Sequence, residues 1–340
     1  MKYNFLGQTG LLVSELCFGT MTFGGKGYWE AIGKQTQQEV NDLLQEVVRE
    51  GINFIDTANI YSFGESEKLL GQGLKDIGAH RDDLVIATKV RGRMGEGKNN
   101  VGLSRFHIFQ SVEASLGRLQ LDHIDVLYVH GVDPRTPVEE TMRALNDIVL
   151  AGKARYVAVC NWPAWMVMKA LGISDKHGWN KFIGMQYFYS LSGRDTEREI
   201  LPLALDQGLG VMPWSPLAGG FLSGKYTRES AKAGDSRRDT FDFPPVDKEK
   251  GFDIIDVCRQ IGKTYEVEPA EIALAWVRQQ KAITSTIIGA KHPEQLRSNI
   301  HSVTITLSQD DLNKLDAVSA IPKEYPAWMV ERQSADRNVN

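Results

Sequence analysis

The chain has little cysteine: of its 340 residues only Cys17, Cys160 and Cys258 are thiols, and no two of them form a CxxC pair. That excludes a disulfide framework and a cysteine zinc site, and leaves buried, inert thiols as the expectation. Cys160, beside Asn161 at a predicted strand end, carries a redox role as its minor alternative. No apolar run reaches the ~18 residues of a membrane span, and the opening MKYNFLGQTGLLVSEL lacks the core and cleavage site of a signal peptide. A cytoplasmic protein with no membrane association is expected. A strong charge of one sign is also missing. Lys plus Arg number 39 against 43 Asp plus Glu, a net charge of -4, which offers no field to gather nucleic acid or anionic lipid. There is no H-x-H pair and no second histidine at a predicted strand end, so no metal site is expected and a metal-dependent hydrolase is disfavoured.

What is present is ordinary in bulk, 42% hydrophobic and 24% charged residues, and long enough for one large α/β domain or two smaller ones. After turn signals at Gly7 and Gly10 that predict an N-terminal hairpin, short β-branched runs alternate with longer amphipathic stretches. Strands are predicted at 14–19, 53–56, 84–90, 124–131, 154–159, 182–186, 210–214 and 284–290. Helices are predicted near 36–50, 65–76, 104–119, 137–150, 164–173, 195–207, 269–280 and 293–300. Eight such units predict an α/β fold, a (β/α)8 TIM barrel with extended loops at its C-terminal face. The competing doubly wound sheet lacks its GxGxxG fingerprint, because the glycines of FGTMTFGGKG are wrongly spaced. No composition shift divides the chain, so residues 1–340 read as one domain with a tail at 321–340. The aromatic residues of that tail either fold back over a cleft or belong to a disordered end. Two insertions follow strand ends, at 91–102 and 215–246, where a barrel builds substrate and cofactor loops.

Read in this register, polar residues collect at one end of the barrel. Asp56 closes the second strand, Lys89 the third and His130 the fourth, with Tyr61 in the loop after Asp56. Each has an ordinary explanation alone; together they suit proton donation to a developing alkoxide. An ammonium beside a phenol lowers its pKa by ~1–3 units, so Lys89 is expected to acidify Tyr61, with Asp56 keeping the lysine charged and His130 orienting the substrate oxygen. Reduction of a carbonyl also needs a hydride source, which no side chain supplies. WSPLAGGFLSGKY (214–226) and IIGAKHPEQLRSN (287–299) follow strands seven and eight, where barrels bind phosphate. Lys225 and Lys291 add charge there, with Arg237 or Arg238 as further candidates; Trp214 suits stacking on a nicotinamide, and Asn161 and Gln186 suit its carboxamide. Gly219 to Lys225 also meets the first part of a Walker A pattern, but Tyr226 replaces the required hydroxyl residue, which argues against a nucleotide triphosphatase.

These segments, with GINFIDTANIYSFGESEKLLGQGL, IDVLYVHGVD and AVCNWPAW, resemble the aldo-keto reductase family over nearly the whole chain. The tryptophan of WSPL and the GA-x3-EQL-x2-N spacing look closest to bacterial reductases related to the potassium-channel β subunits. The resemblance implies a barrel binding NADPH (NADP+), a small carbonyl substrate, a possible oligomer, and Asp56, Tyr61, Lys89 and His130 as catalytic tetrad. The cofactor set it implies comprises Asn161 and Gln186 at the carboxamide, Trp214 at the ring, and Ser215, Leu217 and Lys225 near the pyrophosphate. Lys291, Gln295 and Asn299 fall at the adenosine phosphate, and Gly19, Thr20, Gly219, Arg237 and Gly289 complete the set. Lys291 favours NADPH over NADH. Cys160 stands where the family often has serine, with altered nicotinamide contacts or oxidation sensitivity as the implied consequences, and Asn59 where it often has aspartate.

Overall fold

A computed structural model describes residues 1–228, 238 and 241–335. The chain opens with a hairpin, β1 (Tyr3–Phe5) antiparallel to β2 (Leu12–Ser14), which caps one end of the barrel by burying Leu6 and Val13. Gly7 makes the cap possible. It has φ 61°, and a Cβ there would meet Ile183 O at 2.3 Å.

The barrel strands are β3 (Leu16–Gly19), β4 (Phe54–Asp56), β5 (Val85–Val90), β6 (Ile124–Val129), β7 (Ala154–Cys160), β8 (Phe182–Phe188), β9 (Gly210–Trp214) and β10 (Thr286–Ile288). Each pairs in parallel with its chain neighbour, and β10 returns to pair with β3. The remaining gap, between β9 and β10, is bridged where Val211 pairs with Ile283 and accepts the Thr284 N–H at 2.9 Å. Both faces of the strands are covered, which is why they read as continuous apolar runs. One face meets the helices; the other fills the barrel with Phe54, Val126, Tyr128 and Met212.

The helices α1 (Gln37–Arg49), α2 (Glu65–Asp76), α3 (Arg105–Leu119), α4 (Val138–Leu150), α5 (Ala164–His177) and α6 (Ile200–Gln207) follow their strands in turn. Thr36 and Ser104 cap α1 and α3 through their side chains. The helix expected over 195–207 is split into a short 3-10 turn, Asp195–Glu197, and α6. The reason is Pro202, which in a continuous helix would remove the bond to residue 198 and clash with its carbonyl; from a start at Ile200 it lies in the first turn.

Beyond β9 run α7 (Lys248–Tyr265), α8 (Pro269–Arg278), α9 (Pro293–His301), α10 (Gln309–Ser319) and α11 (Ala327–Ser334); α8 and α9 are the last two helices expected, and α7, α10 and α11 are additional. The first, α7, begins at Asp247, whose side chain accepts the Lys250 N–H, and it packs against α10. The described tail runs outside the barrel, with Arg198 paired to Glu324 and Lys250 donating to Ala320 O, and leaves Tyr325 and Trp328 exposed. Among the described residues no helix is long and apolar enough to cross a membrane, and no group of His, Cys, Asp or Glu is arranged to hold a metal ion.

Candidate active site

Strand β5, VIATKV, is buried along its whole length, yet it contains a lysine. Lys89, 1% exposed, sits near its C-terminal end, where three oxygens replace the water that its ammonium has lost. Nζ donates to Asp56 Oδ2 in a buried ion pair, to Thr57 O at 2.8 Å and to Tyr61 Oη at 3.2 Å. The neighbouring Thr88 points outward, where Glu67 accepts from its hydroxyl at 2.6 Å and from Arg118 Nε at 2.6 Å, tying β5 to α2 and α3.

The phenol reaches this point through a turn. Beyond Asp56 the backbone stays beside β5, with Thr57 N–H on Ala87 O at 2.9 Å and Asn59 N–H on Lys89 O at 3.3 Å. A 3-10 turn, Tyr61–Gly64, then folds the tyrosine back across the barrel end. Its ring packs edge-on to Trp29 at 5.5 Å and to His130 at 5.8 Å, and Lys89 Nζ lies 4.8 Å from its centroid. The four residues singled out at the strand ends are thus brought together.

The electrostatics depart from expectation. Burial pushes the Tyr61 phenol above its ordinary pKa, and Lys89, which pulls it down, only partly offsets the loss of water. The expectation that Lys89 makes this phenol more acidic than usual is therefore corrected: desolvation is the larger effect. Burial also works against the Lys89 charge, yet the negative or acidic groups of Asp56, Tyr61 and Cys160 hold its pKa above the usual lysine value. The carboxyl of Asp56 is raised by burial, opposed by Lys89 and by Gln186. His130 is held well below the usual imidazole value by loss of water and by the cations Lys89 and Arg91, so it is neutral at physiological pH.

The other predicted residues lie on the same barrel face. Trp214 is half-buried at the end of β9; its indole N–H donates to Asn161 Oδ1 at 3.1 Å, and its ring contacts those of Phe188 at 5.1 Å and Phe243 at 5.7 Å. Asn161, left-handed at φ 57°, also donates to His130 O at 3.4 Å. Gln186 gives its amide N–H to Asp56 Oδ1 at 2.8 Å, a contact the sequence did not suggest. Thr20 is fully buried, its hydroxyl 2.9 Å from that of Ser66, and Gly19 ends β3 beside Ile287.

Ser215 and Leu217 begin the loop after β9, and Gly219 and Gly220 both take left-handed φ, 67° and 92°. A Cβ on Gly220 would meet nothing within 4 Å, so this backbone borders open space. Lys225 is exposed. Arg238 is buried instead, donating to Ala218 O and Pro244 O at 2.8 Å each and pairing with Asp242; it pins the loop, which corrects its reading as a free phosphate-binding cation. Arg237 lies outside the described residues. After β10, Asn299 donates to Gly289 O at 3.1 Å, Gln295 accepts the Lys291 N–H at 2.9 Å, and α9 opens on Pro293 with no side-chain cap. An open glycine backbone and an uncapped helix start beside a lysine fit the phosphates of a dinucleotide.

Cys160 is fully buried and its thiol is pushed well above the ordinary value by loss of water, so the oxidation-sensitive reading is not supported. Asn59 is buried too, and neither atom of its amide has a protein partner among the described residues.

A (β/α)8 barrel that gathers a buried Asp–Lys–Tyr cluster and a neutral histidine at the C-terminal ends of its strands carries its ionisable groups on the face where barrel enzymes build their active sites. Family comparison assigns residues 15–320 to the Aldo/keto reductase family. The chain belongs to that family and is an oxidoreductase. Its relatives include "Uncharacterized oxidoreductase YrpG" of Bacillus subtilis, 37% identical over 96% of this chain and 100% of the relative. "Versiconal hemiacetal acetate reductase" of Aspergillus parasiticus is 34% identical over 93% and 96%. "Probable voltage-gated potassium channel subunit beta" of Arabidopsis thaliana is 36% identical over 94% and 96%.

Proposed function

We propose that this protein reduces an aldehyde or ketone to an alcohol with NADPH, reversibly, and that Tyr61 is the proton donor. The observation that carries the reading is the position of Lys89 Nζ, buried between Asp56 and a phenol oxygen 3.2 Å away. Bound NADPH supplies the hydride. As negative charge grows on the substrate oxygen, Tyr61 gives up its proton, and Lys89 stabilises the phenolate left behind. Asp56, steadied by Gln186, keeps Lys89 charged through the cycle. Neutral His130, its ring against that of Tyr61, donates a hydrogen bond to the same oxygen. Trp214, Asn161, Ser215, Leu217, Gly219, Lys225, Lys291, Gln295 and Asn299 line the cleft proposed for the cofactor, and Lys291 favours the additional phosphate of NADPH.

The test is a panel of aldehydes, ketones and sugars assayed with purified protein against NADPH and NADH. Turnover with NADPH at a kcat/KM at least about tenfold above that with NADH supports the reading; no turnover with either nucleotide refutes it. The likeness to proteins named as channel β subunits favours a second reading, a subunit that senses the redox state of a retained cofactor. Slow single turnover with retained NADPH would select that reading.

The pKa directions make a further prediction. Reduction requires the protonated phenol, and a phenol raised above ~10 stays protonated through the neutral and mildly alkaline range. The kcat/KM for reduction should therefore hold level from pH ~6 to ~9 and fall only above ~10, with no break near ~6.5 because His130 is already neutral there. A steady rise or fall through neutrality in a pH–rate profile would contradict this assignment.

A further inference from the structure

Next to the proton donor the backbone takes a conformation that its side chains resist. Ser62 and Phe63 have φ angles of 48° and 54°, and Gly64 follows at 91°. Glycine suits the last of these, but the left-handed region crowds the Cβ atoms of the other two. Ser62 is buried and anchored by its hydroxyl on Phe23 O at 3.2 Å. Phe63 is different: 44% of it remains exposed, so the strained position gains the fold little.

What Phe63 does contribute is geometry. Its ring stands edge-on to Tyr28, with centroids 5.8 Å apart and planes at 88°. Tyr28, 59% exposed, lies 4.9 Å from Trp29, and Trp29 lies 5.5 Å from Tyr61. Four rings thus run without a break from the buried phenol to the surface. Strain in an exposed segment beside a reacting group persists where a site uses it.

We propose that Phe63 is a specificity-determining residue, displayed by its left-handed backbone opposite Tyr28 as the outer wall of the substrate mouth, where it favours carbonyl compounds bearing a flat apolar group. This rests on the carbonyl-reductase reading above. On this proposal the contact that a fused-ring aldehyde gains over a short aliphatic one is with the paired rings of Tyr28 and Phe63.

The test uses two probes on purified wild type, Phe63→Ala, Phe63→Gly and Phe63→Tyr. Binding of 2-naphthol, which cannot be reduced, is followed by tryptophan fluorescence. It should weaken about three- to tenfold in the Ala and Gly variants and be retained in the Tyr variant. The ratio of kcat/KM for 2-naphthaldehyde to that for propanal should fall by a similar factor in the same two variants. Unchanged 2-naphthol binding, or an unchanged ratio, overturns the proposal. Should wild type reduce neither aldehyde while the binding differences remain, the reductase reading fails and the aromatic wall stands. Melting isolates the strain, since Ala and Gly both lack the ring but only glycine accepts the left-handed φ: Phe63→Gly should melt about 1–3 °C above Phe63→Ala. Equal melting temperatures would remove the backbone part of the argument.

Discussion

Tyr61→Phe is expected to lower kcat for carbonyl reduction by about 10²–10⁴-fold while NADPH affinity changes little. The substitution removes one atom, Oη, and keeps the ring that packs on Trp29 and His130. Lys89 loses its 3.2 Å partner but still donates to Asp56 and Thr57 O, so the buried cation remains satisfied and the fold should hold. A group that acts only as charge develops affects kcat and kcat/KM alike, so KM for the carbonyl should move little. Steady-state kinetics, with NADPH binding measured separately by fluorescence titration, checks each part. Undiminished turnover would place the proton donor elsewhere; lost NADPH binding would mean that the phenol acts through the cofactor site.

The parts of this site that were legible in sequence are those fixed by strand period and strand end. In a parallel barrel the C-terminal end of a strand such as VIATKV faces the side where sites form, so Lys89, one residue from that end, could be placed there before its partners were known. The same holds for Asp56 and His130. Two kinds of information were not legible. One depends on closure of the barrel: Gln186 meets Asp56 across 130 residues, and nothing local to FIGMQ announces that contact. The other depends on the depth of burial. A neighbouring ammonium argues for an acidic phenol, but only the packing of Trp29, His130 and the strand ends shows that desolvation outweighs it. Helix α7 was hidden for a simpler reason. The long insertion ending in FDFPPVD draws attention to a loop, although Asp247 is a capping residue and Phe252, Ile255 and Cys258 recur at helical spacing behind it.

Lys89→Met should abolish activity and destabilise the fold by about 3–5 kcal/mol, because it leaves Asp56 buried without its cation. In the wild type, burial raises the Asp56 carboxyl while Lys89 and Gln186 oppose it; without Lys89 only the Gln186 hydrogen bond remains in opposition, so the pKa should rise further. The sign follows from linkage. A group whose folded pKa exceeds its unfolded value stabilises the fold fully below the unfolded value, and that stability is lost as pH rises through the folded one. Urea midpoints of Lys89→Met should therefore fall as pH rises above the unfolded carboxylate value of ~4, and more steeply than those of the wild type. Adding Asp56→Asn removes the stranded charge and keeps an oxygen for the Gln186 amide, so the double variant should regain most of the lost stability at neutral pH while remaining inactive. A double variant as unstable as Lys89→Met would trace the loss to the contacts of the lysine ammonium with the Tyr61 and Tyr128 rings. Activity regained in the double variant would show that the phenol donates its proton without a cation beside it, and the role proposed for Lys89 would not stand.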